Sequence, residues 1–336
     1  MRFRIRFIVL PLLFLFPVSI QGIQFSLPTE NAWVNTPERY LQPTEAGKKN
    51  GGFGMVRENG KRFHRGIDIA PIHRNCQQEP TDEIRAVADG VLVYKNPYSA
   101  NSNYGRYVIV QHQVDGVTIY SIYAHLSKIS PELKIGQEVS RGTVLGIMGR
   151  TSNCYEIPKS QAHLHFEFAL MLGTKNSFQN WYQSQKFGSP NTHGRWNGMN
   201  WVSMDPLPIL QQAQISSLRD SLQLQSTAYI ARVYRDEIPQ FLRENSGLCT
   251  ESIELLEKRK AEGKLGGYDI EWTWCGVPKR WIPHGFRKAH DTVLLSYDEG
   301  SLREMLNLGT LKKNKKNDVE IGSRTQGMLA KMFFLQ

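Results

Sequence analysis

Between Lys61 and Leu170 apolar and polar positions alternate in short runs separated by turn residues, the pattern of β-strands. The runs are Ile84–Tyr94 (IRAVADGVLVY), Tyr107–His112 (YVIVQH), Val117–Tyr123 (VTIYSIY), Val139–Met148 (VSRGTVLGIM) and His163–Leu170 (HLHFEFAL). Asp115-Gly116 predicts a hairpin between the second and third, and Asp89-Gly90 a turn within the first. No part of this region sustains a helical period, so the pattern predicts a mainly antiparallel β domain. Residues 171–203, rich in Asn, Gly, Trp and Tyr, have no clear period and read as an insertion loop. Asp205-Pro206 then opens a helix, with Pro where its missing N–H costs little. Thr250–Gly263 reads as helix, Tyr268–Cys275 (YDIEWTWC) as strand, and Ser301–Glu304 as a capping box opening a short helix. No internal repeat is visible.

At the N-terminus the pattern is different. Arg2, Arg4 and Arg6 precede an apolar run from Phe7 to Phe16, followed by the small or polar Ser19 and Gly22. The run falls short of the roughly 20 apolar residues that span a bilayer, and predicts a cleaved signal peptide over 1–22. Later stretches are not apolar enough for a transmembrane helix. The expected division is a signal peptide (1–22), an irregular lead-in (23–50), a β domain (51–212, with 171–203 inserted) and a smaller α+β extension (213–336). Wall targeting and partner binding are both open as roles for that extension.

With 336 residues, 40% hydrophobic and 21% charged, the chain has the composition of a folded protein. The formal charge is +10, of which the three N-terminal arginines supply three. A basic exported chain is steered toward anionic wall polymers or lipid headgroups, and export argues against nucleic acid as a partner. The predicted location is periplasmic or extracellular. No motif addresses oligomeric state. Four cysteines suit an oxidising compartment and allow three pairings. Pairing within each expected domain joins Cys76 to Cys154 and Cys249 to Cys275.

Three motifs carry candidate chemistry: His64-Arg65-Gly66-Ile67-Asp68, Tyr123-Ala124-His125-Leu126 and His163-Leu164-His165-Phe166-Glu167. A catalytic zinc takes three protein ligands and keeps one position open. On a straight strand His64 and Asp68 would lie ~13 Å apart, so the chain must bend between them, and Gly66 sits at the midpoint. His163 and His165, two apart on a strand, project to one face, so that one can ligate while the other stays free. His125 ends an apolar run and can converge from a neighbouring strand. An unligated His can shuttle a proton and another can hold an oxyanion. Singly, each motif is more often structural than catalytic; the joint occurrence is what signifies.

Together the HxxxD, YxHL and HLHFE motifs resemble those of the lysostaphin/LytM-type zinc metalloendopeptidases. The surroundings agree: His64–Ala70 (HRGIDIA), Ala86–Val91 (AVADGV), Tyr104-Gly105, Gly136–Gly146 (GQEVSRGTVLG) and Asp205–Leu210 (DPLPIL). The resemblance runs from about Lys61 to Leu210. It implies an antiparallel β metallopeptidase domain of the duplicated hybrid motif type, one Zn2+, and peptidoglycan stem peptides or cross-links as substrate. It makes His64, Asp68 and His165 the metal ligands and His125 and His163 the unligated catalytic imidazoles. His163 is assigned as general base and His125 as oxyanion stabiliser, with the reverse left open. The chain departs from the family in its longer segment between Gly149 and His163, its expanded segment after Asp68 and the insertion at 171–203. Because some proteins of this fold have lost zinc and act as regulators that bind the wall or activate an amidase, that is the alternative. Their mark is loss of ligand residues, and all five positions are present here. A glycosidase would need a placed carboxylate pair, and GxSxG and HExxH are absent.

Overall fold

The computed structural model describes residues 22–30, 35, 40–41, 50–153, 155–212, 214–215, 217–223, 225–287 and 292–333. The expected signal peptide falls outside them but for residue 22, as do Cys154 and His290. In chain order the strands are β1 (Ile23–Gln24), β2 (Gly54–Arg57), β3 (Arg62–His64), β4 (Ile67–Ile69), β5 (Glu83–Arg85), β6 (Gly90–Asn96) and β7 (Arg106–Val114). There follow β8 (Val117–Leu126), β9 (Lys128–Ile129), β10 (Glu138–Val139), β11 (Val144–Ile147), β12 (Leu164–Met171) and β13 (Trp201–Met204).

β10, β6, β7, β8, β12 and β13 lie side by side in one antiparallel sheet, and β4 joins β12 beyond the end of β13. The turn at Asp115-Gly116 joins β7 to β8, with positive φ at both residues (47° and 71°), the conformation that matches strand twist in a two-residue hairpin. Along β12 every residue is buried. Leu164, Phe166, Phe168 and Leu170 enter the main core, where Phe25 of the lead-in meets Phe168 edge-on, while the alternate residues face the other way. That second face carries the chemistry.

The insertion covers most of it. Residues 171–203 are not a plain loop but contain a ten-residue helix, Lys175–Ser184, capped by Thr174, whose hydroxyl accepts from the Ser177 N–H at 3.1 Å. Farther on, Trp196 packs on Tyr94 and Tyr120, and His193 lies among the Tyr94 and Tyr107 hydroxyls and the Asn101 carbonyl. These aromatics pin the segment to the sheet.

The remaining strands are β14 (Gln214–Ile215), β15 (Tyr229–Val233), β16 (Gly267–Trp272), β17 (Pro278–His284), β18 (Thr292–Tyr297), β19 (Leu311–Lys313) and β20 (Val319–Ile321). β17, β16, β15 and β18 form an antiparallel sheet, packed with the helices Gln240–Glu244, Ile253–Ala261 and Ser323–Phe333. Its buried Trp272, Trp281, Tyr229 and Tyr268 are continuous with the core of the first sheet. β14 reaches back to pair with β1. Among the described residues no helix is long and apolar enough to cross a membrane.

Several expectations need correction. Ile84–Tyr94 is not a hairpin: β5 pairs with β11 and β6 with β7 and β10, so Ala86–Asp89 passes between two sheets. Val139–Met148 likewise divides into β10 and β11. Cys249 and Cys275 are not bonded. Cys249 lies beside Trp281, whereas Cys275 sits in the turn beyond Pro278, about three residues and ~10 Å farther along the strand, too far for a disulfide. Cys76 is exposed and unbonded; the segments on either side of its expected partner are joined to its own loop instead by Arg150, which forks onto Glu79 at 2.8 Å, and by Arg74 and Lys159. At Ser301 the capping box does not form, because its hydroxyl donates to Asp298.

Candidate metal centre

β3 and β4 would be one strand but for a bend at Gly66. There β4 runs so close to β12 that a Cβ on Gly66 would lie 2.3 Å from the Phe166 carbonyl oxygen and 2.9 Å from Glu167 Cγ. Gly66→Ala is therefore expected to cost about 2–3 kcal/mol as backbone is forced aside, read as a lower denaturant midpoint. An unchanged midpoint would show that β4 is free to draw back from β12.

The bend brings His64, at the end of β3, around to Asp68, in the middle of β4. The register of β4 on β12 sets Asp68 directly opposite His165. Three donor atoms then converge: His64 Nε2 and His165 Nδ1 lie 3.1 Å apart, and Asp68 Oδ1 is 3.1 Å from the first and 2.9 Å from the second. All three residues are buried. Zinc bonds of about 2.0–2.2 Å set tetrahedral ligand atoms roughly 3.3–3.5 Å apart, so a small inward triangle of two imidazole nitrogens and one carboxylate oxygen fits that ion with slight expansion.

Each donor is oriented by a second contact. The His64 Nδ1–H donates to the Gly52 carbonyl at 2.7 Å, leaving Nε2 as the lone pair facing its partners. The Asp68 N–H donates to the Gly51 carbonyl at 2.8 Å. His165 Nε2–H donates to Glu167 Oε1 at 2.8 Å, the carboxylate–imidazole support typical of metal ligands. Glu167 is fully buried and also accepts from the Tyr104 hydroxyl (2.6 Å), Trp201 Nε1 (2.9 Å) and the Ser203 hydroxyl. On the far side of Asp68, Oδ2 accepts from the buried Arg57 guanidinium, whose Nη2 is also 3.0 Å from His64 Nε2.

The electrostatics favour a cation. Burial works to raise the Asp68 pKa, but His163, His64 and the hydrogen bond from His165 outweigh it and hold the carboxyl well below its usual range. For His165, burial works downward, yet the hydrogen bonds to Asp68 and Glu167 push the imidazole up to about 9. The two carboxylates that favour a proton on this ring equally favour a dication beside it.

Two further imidazoles border the triangle. His163 Nδ1 donates to the Gln161 carbonyl at 2.7 Å, which leaves Nε2, 3.4 Å from Asp68 Oδ2, as the free basic nitrogen. Ala124 is the cross-strand partner of His165 and shares its face, so His125 would by strand alternation point into the core. Its φ of +61° breaks the alternation, and its ring comes to lie 4.9 Å from that of His163 and 5.9 Å from that of His165. His125 Nδ1 donates to the Thr151 carbonyl at 2.7 Å. Burial, then its imidazole neighbours, pushes His125 down to about 3, and burial lowers His163 as well, so both rings are neutral at neutral pH.

All five residues singled out by the motifs thus meet in one place. Tyr104 and Glu167 stand in the quoted motifs with no role assigned to them, and Arg57 stands in none. Glu167 had a signal, since it stands two residues after His165 and so on the same strand face. His112 is structural: it is buried, with Nδ1 donating to the Asp89 carbonyl and Nε2 2.8 Å from the Ser121 hydroxyl.

Part of the chain is similar to known peptidases. Residues 62–177 match the family model described as Peptidase family M23. Over 126 residues the chain is 29% identical to Endolysin 2638A of Staphylococcus phage 2638A, covering 35% of this chain and 23% of that protein. Over 81 residues it is 41% identical to the peptidoglycan DD-endopeptidase ShyA of Vibrio cholerae, covering 24% of this chain and 15% of that one. The chain therefore spans less than a quarter of the length of either relative. Among solved structures, the catalytic domain of lysostaphin from Staphylococcus simulans aligns over 55% of this chain and 98% of its own, at 21% identity and a TM-score of 0.29. Residues 62–177, which contain His64, Asp68, His125, His163 and His165, form an M23 peptidase domain of this chain.

Proposed function

We propose that the protein is an exported zinc metalloendopeptidase that hydrolyses peptide bonds in peptidoglycan stem peptides or cross-links, with His64, Asp68 and His165 as the ligands of one Zn2+. The single observation carrying this reading is the buried triangle of two imidazole nitrogens and one carboxylate oxygen, bordered by two neutral imidazoles. The relative named as a peptidoglycan DD-endopeptidase supports the substrate class, and the basic N-terminal segment followed by an apolar run supports export.

Zinc held there supplies Lewis-acid polarisation of the scissile carbonyl and acidifies water. The protein's own groups do the rest. Asp68 and Glu167 balance the dication's charge, and Glu167 fixes the ring orientation of His165. His163 presents an unprotonated Nε2, suited to accept a proton from the attacking water and return it to the leaving amine. His125, neutral and held by Thr151 through its Nδ1–H, keeps its ring beside that of His163 and is assigned to the oxyanion side, where uptake of a proton during the reaction would let its Nε2 donate.

The test pairs metal content with wall cleavage. The chain without residues 1–22 should bind about one zinc and release peptide-cleaved fragments from purified sacculi, with both lost in His165→Ala. A chain that stays metal-free after zinc is supplied, and leaves sacculi intact, would instead favour a wall-binding regulator.

A further inference from the structure

The hairpin that carries the first metal ligand has little of its own to hold it in place. Among the described residues β2 and β3 pair only with each other, with an irregularity between Gly54 and Arg57, and an isolated two-stranded ribbon is marginal in water. Yet this ribbon presents His64 and Arg57, and the residues leading into it present the Gly51 and Gly52 carbonyls that hold Asp68 and His64.

Support comes from the C-terminal unit. Trp274 projects from the β16–β17 turn onto the ribbon, its ring 5.7 Å from Phe63 and 6.5 Å from Phe53, which are themselves 5.1 Å apart edge-on. The indole also closes over Gly54, where a Cβ would lie 3.4 Å from its ring. Arg324, from the last helix, lays its guanidinium 5.5 Å from the centre of the Phe63 ring. The turn bearing Trp274 is itself fixed: the Thr273 N–H donates to the Val277 carbonyl, the Val277 N–H to the Thr273 hydroxyl, and Gly276 abuts Met328 of that same helix. Unlike the fully buried Trp272 and Trp281, Trp274 is only half-buried, so its placement serves the ribbon more than the unit's own core.

We infer that the C-terminal unit is a buttress for the metal centre, in which Trp274 is a positioning residue that holds the β2–β3 ribbon, and with it Arg57 and His64, against Asp68. The inference rests on the zinc reading above. It assigns the extension a part in building the site rather than a separate targeting task.

The test is zinc affinity of the full chain, stripped of metal and titrated against a chromophoric chelator. Trp274→Ala is expected to weaken zinc binding about 10–100-fold, the range for loss of outer-shell support, and Trp274→Phe to recover most of it. Leu295→Ala, an exposed change on β18 of the same unit, should bind as wild type. Should Trp274→Ala fail to fold, Arg57→Gln asks the same question from the ribbon side, since it keeps the aromatic packing but releases Asp68. Its expected result is the same weakening, with the melting temperature of the metal-free protein nearly unchanged. Wild-type uptake of zinc with equal affinity in folded Trp274→Ala, or in Arg57→Gln, overturns the buttress alone. A wild-type chain that takes up no zinc overturns the zinc reading and the buttress with it.

Discussion

Replacing His163 by alanine is expected to lower peptide hydrolysis by about 10²–10⁴-fold, the usual worth of a positioned general base, while the protein still binds zinc. The reason lies in how the five site residues divide. His64, Asp68 and His165 point their donor atoms at one another, whereas His163 turns Nδ1 to a backbone carbonyl and keeps Nε2 free 3.4 Å from the outer oxygen of Asp68. Its ring is neutral at neutral pH, because burial disfavours the charge. Removing it should leave the triangle standing. Single-turnover hydrolysis of a purified cross-linked peptide, read beside metal content, decides the matter. Loss of zinc along with activity would make His163 a ligand, and retention of full activity would pass the base role to His125.

The other large effect concerns stability, and lies away from the candidate metal centre. Lys331, on the last helix, is buried with Nζ 4.0 Å from the centre of the Trp181 ring. Burial first, then the charges of Arg324 and Arg65, pushes its pKa down from 10.5 to about 7. Between these two values the unfolded chain holds a proton that the folded chain has released. The unfolded state thus binds more protons, and stability climbs as pH rises from about 7 to 10.5. Below that window both states are protonated and the full cost is present. Three and a half pH units set an upper bound of nearly 5 kcal/mol, and attraction to the indole face offsets ~1–2 kcal/mol of it. Lys331→Met should therefore stabilise the protein at pH 6–7 by about 2–4 kcal/mol and flatten the rise. Denaturant unfolding of both proteins at pH 6 and pH 10 measures this directly, and parallel curves would mean that Lys331 stays charged and solvated throughout.

Much of the centre was readable in the chain because its parts are local. HxxxD with glycine at the midpoint announces a bend between two candidate ligands, and HLH puts two imidazoles on one strand face. Arg57 was not readable: it lies eleven residues before Asp68, and only the fold of the β2–β3 ribbon brings it to the carboxylate. The helix Lys175–Ser184 was missed because its capping box uses Ser177 where Glu or Gln is the usual sign. Its buried Phe178, Trp181 and Tyr182 resembled loop aromatics until their partner, the last helix of the chain, was in place. The cysteine pairing failed for a related reason, since membership of one unit does not bring two residues within bonding distance.

The covered face of the sheet bears on how a substrate travels. Beyond His165, along β12 and its neighbours, Glu167, Ile122, Ile109, Ala169 and Tyr120 are each at most 2% exposed, and the insertion lies over them. A peptide has no bare strands there to lie along. Of the four imidazoles His125 alone is half-exposed, while His64, His163 and His165 are buried. On the proposed reading, the covered face leaves the His125 side as the approach for a peptide substrate.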